Sequence, residues 1–167
     1  MVQRVLTIGY GNPGRLDDGL GPAMAEMLEA LALPGVTVDA DYQLTVEDAA
    51  AVAQHDAVVF MDAAVTGPEP FSFQRVVPDD RSAVTWSSHS LEPAMLMALA
   101  RDLFGAGAEG FVLAVRGYEF DDFGERLCDR ARDNLAAALQ FLVPVLRDRR
   151  LGAVADASSA RPAVPPV

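Results

Sequence analysis

The sequence contains little cysteine, few basic residues and no long apolar run. Its single cysteine, Cys128, excludes a disulfide bond within the chain and is typical of a reducing compartment, so we expect a cytoplasmic protein. No apolar run reaches the roughly 18 residues of a membrane-spanning helix, and no basic-then-apolar signal peptide precedes the first strand pattern. Lys and Arg number 13 against 24 Asp and Glu, and the net charge of −11 opposes binding to nucleic acid or an anionic membrane.

Alternating strand and helix patterns predict the fold class. Apolar runs predict strands at 4–9, 36–39, 57–61 and 110–116, and a proline-bordered run predicts an edge strand at 71–77. Apolar residues at helical spacing predict helices at 20–31, 45–53 (capped by Thr45), 91–104 (capped by Ser90 and Gly105) and 123–146. This order predicts a three-layer α/β/α sandwich around a mostly parallel, twisted sheet of about five strands with one antiparallel edge strand. We expect one domain over residues 1–146 and a disordered tail over 147–167.

A glycine-rich loop follows the first predicted strand. Residues 9–14 read GYGNPG, and the two carboxylates Asp17 and Asp18 follow before the first helix. Open α/β sheets bind ligands at the carboxyl ends of their strands, so a functional site is expected here. The pattern G-x-G-x-x-G is also the dinucleotide-binding fingerprint. However, Pro13 removes one backbone donor, and two carboxylates lie where a pyrophosphate needs positive potential, so a dinucleotide site is the less favoured alternative.

Further motifs follow the loop in a recognisable order. They are DDGLGP at 17–22, FMDA at 60–63, SHSL at 88–91 and GYE at 117–119. In this order the motifs resemble the hydrogenase maturation endopeptidases, which remove a C-terminal extension from the large subunit of nickel–iron hydrogenases after nickel insertion. The segment GNPG alone is also similar to peptidyl-tRNA hydrolases, but the catalytic histidine of that family has no counterpart at residues 17–19.

The resemblance to the maturation endopeptidases implies a metal-recognising site and a partner. The family's metal-contacting positions fall on Asp18, Asp62 and His89. The implied role of these residues is to recognise nickel presented by the large-subunit precursor, and the purified protein would bind another divalent metal at the same site. Two carboxylates and an imidazole with open positions suit such ions. From the residues themselves we expect a monomer, and Glu119, at the same sheet edge, is a candidate for holding the substrate tail.

The residues predict no attacking group. No Ser-His-Asp arrangement and no His-Glu-x-x-His helix is present, so a water polarised by the metal or by Asp18 or Asp62 is the simplest hypothesis. Cys128, predicted inside the last helix, is interpreted as a packing residue. Simpler roles are open for the site residues: Asp18 as a helix cap, Asp62 as a turn residue and His89 as a surface histidine. A metal-dependent binder or chaperone that does not cleave is the alternative function.

Overall fold

The computed structural model describes residues 2–79 and 91–159. Within them the strands and helices alternate as predicted, and a 3-10 turn at Leu16–Gly19 precedes the first helix. The elements are β1 (Val5–Tyr10), α1 (Leu20–Leu31), β2 (Val36–Asp41), α2 (Val46–Ala53), β3 (Ala57–Ala64), β4 (Phe71–Val76), α3 (Pro93–Phe104), β5 (Glu109–Arg116), α4 (Asp129–Arg147) and α5 (Leu151–Ser159). No helix in these two ranges is both long and apolar enough to span a membrane.

The strands form one sheet in the order β2-β1-β3-β5-β4. All neighbouring strands are parallel except β4, which pairs antiparallel with β5 at the edge. One apolar core lies between the sheet and α1, α4 and α5, and a second lies between the sheet and α2 and α3. The predicted three-layer sandwich with one antiparallel edge strand is therefore confirmed.

Two glycines allow α1 to approach β1 and β3 closely. A Cβ atom on Gly21 would lie 2.3 Å from the carbonyl oxygen of Tyr10 and 2.6 Å from that of Met61. A Cβ atom on Gly9 would lie 2.2 Å from the carbonyl oxygen of Gly21. Because these neighbours are backbone atoms, no side chain fits at either position. The glycines thus fix the distance between α1 and the carboxyl ends of the central strands.

Two predicted helix starts are wrong. The helix α3 begins at Pro93 with Glu92 as its N-cap rather than at residue 91, and the predicted cap, Ser90, lies outside the described residues. The helix α4 begins at Asp129 rather than at residue 123. The backbone N–H groups that precede α4 are held by a buried carboxylate in the first loop (residues 11–19), which keeps residues 117–128, the β5–α4 loop, out of helical conformation.

The predicted disordered tail is wrong for residues 147–159. Helix α4 runs to Arg147, and α5 follows with Leu151 only 1 % exposed and Ala155 fully buried against the core. Arg75 of β4 forms an ion pair with Asp156 of α5 at 3.2 Å. Burial of one face of α5 explains why an alanine-rich segment with little obvious periodicity is helical. Residues 160–167 lie outside the described part of the chain.

Candidate functional site

The topology of the sheet creates a crevice between β1 and β3. From β1 the chain moves to one side of the sheet, through α1 to β2, whereas β3 lies on the other side of β1. The β1–β3 pairing ends at Gly9–Met61, while β3 continues beside β5 as far as Ala64–Arg116. Such a switch point, at the carboxyl ends of parallel strands, is where open α/β folds bind their ligands.

Asp18 lies at this edge on the 3-10 turn after β1. Its side chain is half-buried, and its Oδ2 atom accepts a hydrogen bond from the backbone N–H of Asn12 at 2.8 Å. Gly11 has a φ of 141°, and a Cβ atom there would lie 2.1 Å from the carbonyl oxygen of Asp18, so this position requires glycine. The N-cap of α1 is Gly19, without a side-chain cap. The simpler interpretation of Asp18 as a helix cap is therefore wrong.

Asp62 lies within β3, paired in register with Ala114 of β5, so it is a strand residue and not a turn residue. Its Oδ1 atom accepts the N–H of Ala63 at 2.7 Å, and the Tyr10 hydroxyl donates to its carboxylate. Burial raises the pKa of Asp62 to about 6; the negative charge of Asp18 adds to the rise, and the two hydrogen bonds oppose it. Asp18 and Asp62 thus lie close enough to interact electrostatically.

The third predicted ligand, His89, lies outside the described residues. Within residues 2–79 and 91–159, no group of three or more His, Cys, Asp or Glu side chains is placed to hold a metal ion. The described part of the site therefore consists of two carboxylates at the switch point. A third donor at position 89 stays a prediction.

Sequence reasoning missed the role of Asp17. This carboxylate is fully buried and accepts the N–H groups of Tyr118 at 2.8 Å, Glu119 at 2.9 Å and Cys128 at 2.9 Å. Burial alone would raise the pKa of Asp17, but these hydrogen bonds outweigh it and hold the pKa below its usual value. A carboxylate with this many donors is a structural anion that joins the first loop to the β5–α4 loop.

Cys128 is not inside α4, as predicted, but is its N-cap. Its thiol donates to Asp17 Oδ2 at 3.1 Å. Burial and this contact raise the pKa of the thiol, which keeps it protonated and makes it a poor nucleophile. The expectation that Cys128 does not attack the substrate agrees with this environment, but its surroundings are polar rather than a simple packing contact.

A groove of about 460 Å³ lies beside the first loop. Glu119 is exposed in it, next to Tyr118, whose ring is stacked on the guanidinium of Arg130 at 3.9 Å from the ring centroid. Arg130 in turn pairs with Glu69 at 2.7 Å. The groove is lined by Leu16, Tyr118, Glu119, Phe120, Asp121, Asp122 and Arg126. Its lining is mainly acidic and aromatic, which does not suit a phosphate.

The geometry does not favour the dinucleotide alternative. The 3-10 turn, with its two carboxylates, separates Gly14 from the first residue of α1, Leu20. Asp17 is turned into the interior, and Asp18 lies at the edge where a pyrophosphate would bind. The glycine loop therefore does not lead directly into the helix N-terminus, as the fingerprint requires.

The fold, with Asp18 and Asp62 at one edge of the sheet, defines an open α/β protein with a candidate site at the β1–β3 switch point. Solved structures share this fold. The nickel–iron hydrogenase maturation protease HycI from Thermococcus kodakarensis matches with 21 % identity and a TM-score of 0.67, over 87 % of this chain and 93 % of its own. The hydrogenase maturating endopeptidase HybD from E. coli gives the same values. A hydrogenase 2 maturation peptidase from a Thaumarchaeota archaeon matches with 21 % identity and a TM-score of 0.64, over 86 % of this chain and 98 % of its own.

The chain therefore has the fold of the hydrogenase maturation proteases, as the sequence resemblance implies. No protein-family model matches the chain, and a search of curated proteins finds no match.

Proposed function

We propose that this protein is an endopeptidase that removes the C-terminal extension of a nickel–iron hydrogenase large-subunit precursor after nickel insertion. The observation that carries the proposal is that Asp18 and Asp62 lie within electrostatic range of each other at the switch point of a fold shared with maturation proteases. The motif order in the sequence supports the same assignment. The protein would act in the cytoplasm as a monomer, with the precursor as its partner.

Nickel held by the precursor is the proposed recognition element. Asp18 and Asp62 would supply carboxylate oxygens to it, and His89 would supply an imidazole nitrogen. Nickel accepts such mixed oxygen and nitrogen donors, and three donors leave positions for the ligands of the substrate itself. Cleavage would then depend on nickel insertion, because the metal would place the scissile bond against the enzyme. Another divalent ion would bind the same donors in the purified protein.

Water is the proposed attacking group. The metal, Asp18 or Asp62 would polarise a water that attacks the peptide carbonyl, and the proton lost by the water would pass to the leaving amine nitrogen. The raised thiol pKa of Cys128 argues against attack by sulfur. Glu119, exposed in the groove beside the first loop, would hold the polypeptide chain that is cleaved.

The test is an intact-mass assay of a large-subunit precursor incubated with this protein, with and without nickel loading. We expect loss of the C-terminal peptide only from the nickel-loaded precursor, with many precursor molecules processed per protein molecule. Asp18→Ala and His89→Ala should fold and fail to cleave. Asp133→Asn, a change at an exposed carboxylate on α4, is the matched control and should cleave normally.

Other outcomes would contradict the proposal in distinguishable ways. Binding that saturates at one equivalent without any mass change would support the non-cleaving binder. Full cleavage by Asp18→Ala or His89→Ala would refute the site assignment while leaving the reaction intact. Saturable binding of a dinucleotide in the absence of metal would favour the alternative function of the glycine loop.

A further inference from the structure

The neighbours Asp17 and Asp18 point in different directions from the 3-10 turn. Successive side chains of a 3-10 helix are about 120° apart, because it has three residues per turn. Asp17 is fully buried, whereas Asp18 is half-buried at the edge of the sheet. We propose that Asp17 is a positioning residue: its carboxylate fastens the β5–α4 loop to the first loop and thereby holds Asp18 in place. The effect of Asp17 on the position of Asp18 is argued from the geometry alone; only its effect on cleavage rests on the proposed function.

Four donors from the β5–α4 loop converge on Asp17. Oδ2 accepts the N–H groups of Tyr118 and Glu119 and the thiol of Cys128, and Oδ1 accepts the N–H of Cys128. Gly117 adds a close contact, since a Cβ atom there would lie 2.9 Å from Cβ of Asp17. Hydrogen bonds to a charged acceptor are stronger than neutral ones, so the two loops are joined firmly at this point.

The backbone beside Asp17 is strained, and the same loop holds it. Leu16 has a φ of 51°, in the left-handed region that a residue with a branched side chain rarely adopts. Its N–H donates to the carbonyl of Gly124 at 2.9 Å, and the N–H of Asp17 donates to that of Glu119 at 3.0 Å. Such strain persists only where surrounding contacts over-determine the conformation, and it is concentrated at functional sites.

The position of Asp18 depends on this backbone. Its N–H donates to the carbonyl of Arg15 at 3.1 Å, and its carboxylate accepts the N–H of Asn12 at 2.8 Å. If Asp17 loses its partners, Leu16 is free to relax, and the carboxylate of Asp18 moves away from Asn12. The amide of Asn12 is therefore a reporter of Asp18 that does not depend on substrate, metal or cleavage.

A second buried carboxylate provides a matched control. Asp48 is 8 % exposed and accepts the N–H of Thr45 at 2.8 Å in the capping box of α2. Its replacement by Asn removes a buried negative charge, as at Asp17, but the hydrogen bonds of its carboxylate go to Thr45 and not to the first loop. A purely structural role for Asp17 predicts that Asp17→Asn and Asp48→Asn behave alike at Asn12.

The test is amide hydrogen exchange of both variants at a temperature where each is folded. We expect exchange at Asn12 to become about ten-fold faster in Asp17→Asn, the equivalent of one lost hydrogen bond, with Thr45 unchanged. In Asp48→Asn, exchange should become faster at Thr45 and stay unchanged at Asn12. Unchanged protection of Asn12 in Asp17→Asn would overturn the proposal. If Asp17→Asn does not fold, Cys128→Ala is the second variant, because it removes only the thiol donor to Asp17. We expect exchange at Asn12 to become about two-fold faster in Cys128→Ala. Unchanged exchange at Asn12 in this variant would overturn the proposal.

A second measurement connects positioning to cleavage. At equal folded fractions, Asp17→Asn should lower kcat/KM for the nickel-loaded precursor about ten-fold or more, as expected when a catalytic group is misplaced, and Asp48→Asn should not. Wild-type cleavage with equal activity in Asp17→Asn would refute the positioning role. Absence of cleavage by the wild-type protein would instead refute the proposed function, and the exchange result would still decide the structural proposal.

Discussion

Replacing Asp62 by Asn should stabilise the folded protein above about pH 6. Burial raises the pKa of this carboxyl from its ordinary 3.8 to about 6, so the folded state disfavours its ionised form. Asn has the same shape: its amide oxygen can accept the N–H of Ala63, and its NH2 group can donate to the hydroxyl oxygen of Tyr10. The substitution therefore removes a destabilising charge and keeps a polar partner for the N–H of Ala63 and for the hydroxyl of Tyr10.

The pKa of Asp62 sets both the size and the pH range of the effect. Each pH unit of a pKa rise corresponds to about 1.4 kcal/mol, so the rise from 3.8 to about 6 gives at most about 3 kcal/mol. Below about pH 4 the carboxyl is protonated in both the folded and unfolded states, and it costs nothing. Between about pH 4 and 6 only the unfolded state ionises, so the free energy of unfolding of the wild-type protein falls as pH rises. Above pH 6 the loss is constant.

The assay is urea unfolding, followed by circular dichroism, at several pH values from 4 to 8. The advantage of Asp62→Asn should grow between pH 4 and 6 and then level off, with unchanged dependence on urea. Asp133→Asn removes one charge from the exposed surface of α4 and corrects for the general effect of net charge. A difference that does not vary with pH, or a wild-type protein more stable than Asp62→Asn at pH 8, would refute the reasoning.

Two further predictions concern the packing that supports the site. Gly21→Ala should destabilise the protein by about 3 kcal/mol or more, because its Cβ atom would lie 2.3 and 2.6 Å from two backbone oxygens. Gly107→Ala is the control: no atom lies within 4 Å of its Cβ position, so the free energy of unfolding should change by less than about 0.5 kcal/mol. Leu151→Ala should cost about 2 to 4 kcal/mol if α5 belongs to the core, whereas Leu103→Ala, at a side chain 60 % exposed, should cost less than about 1 kcal/mol. Urea unfolding measures all four variants, and near-neutral effects of Gly21→Ala or Leu151→Ala would contradict the packing described above.

Sequence patterns correctly predicted the helices whose bounds depend on residues within the same segment. The helix 20–31 has the predicted bounds because its apolar spacing and the glycines before it act within the segment itself. Thr45 is the N-cap of α2, and its backbone N–H donates to the carboxylate of Asp48 in a capping box, as the spacing indicates. The alternation of strands and helices predicted a mostly parallel sheet, but it did not predict the order of the strands.

Contacts between distant segments explain what the sequence did not reveal. Asp17 and Asp18 are chemically equivalent in the sequence, and only tertiary structure buries one of them and leaves the other at the sheet edge. The late start of α4 has the same origin, because Cys128 donates its N–H to Asp17. Asp62 was predicted at the end of β3, but pairing with β5 extends the strand to Ala64. No local pattern reports on such pairing.

The placement of α5 decides how the protein is best attached to a surface. Arg149, just before α5, donates to the carbonyl of Gln3 at 2.9 Å, and Gly152 lies near Arg75, which pairs with Glu109 at the beginning of β5. The start of α5 is therefore at the amino edge of the sheet, opposite the edge that carries the two acidic site residues. A cysteine introduced at exposed Ala153 would immobilise the protein with its acidic edge facing the solution.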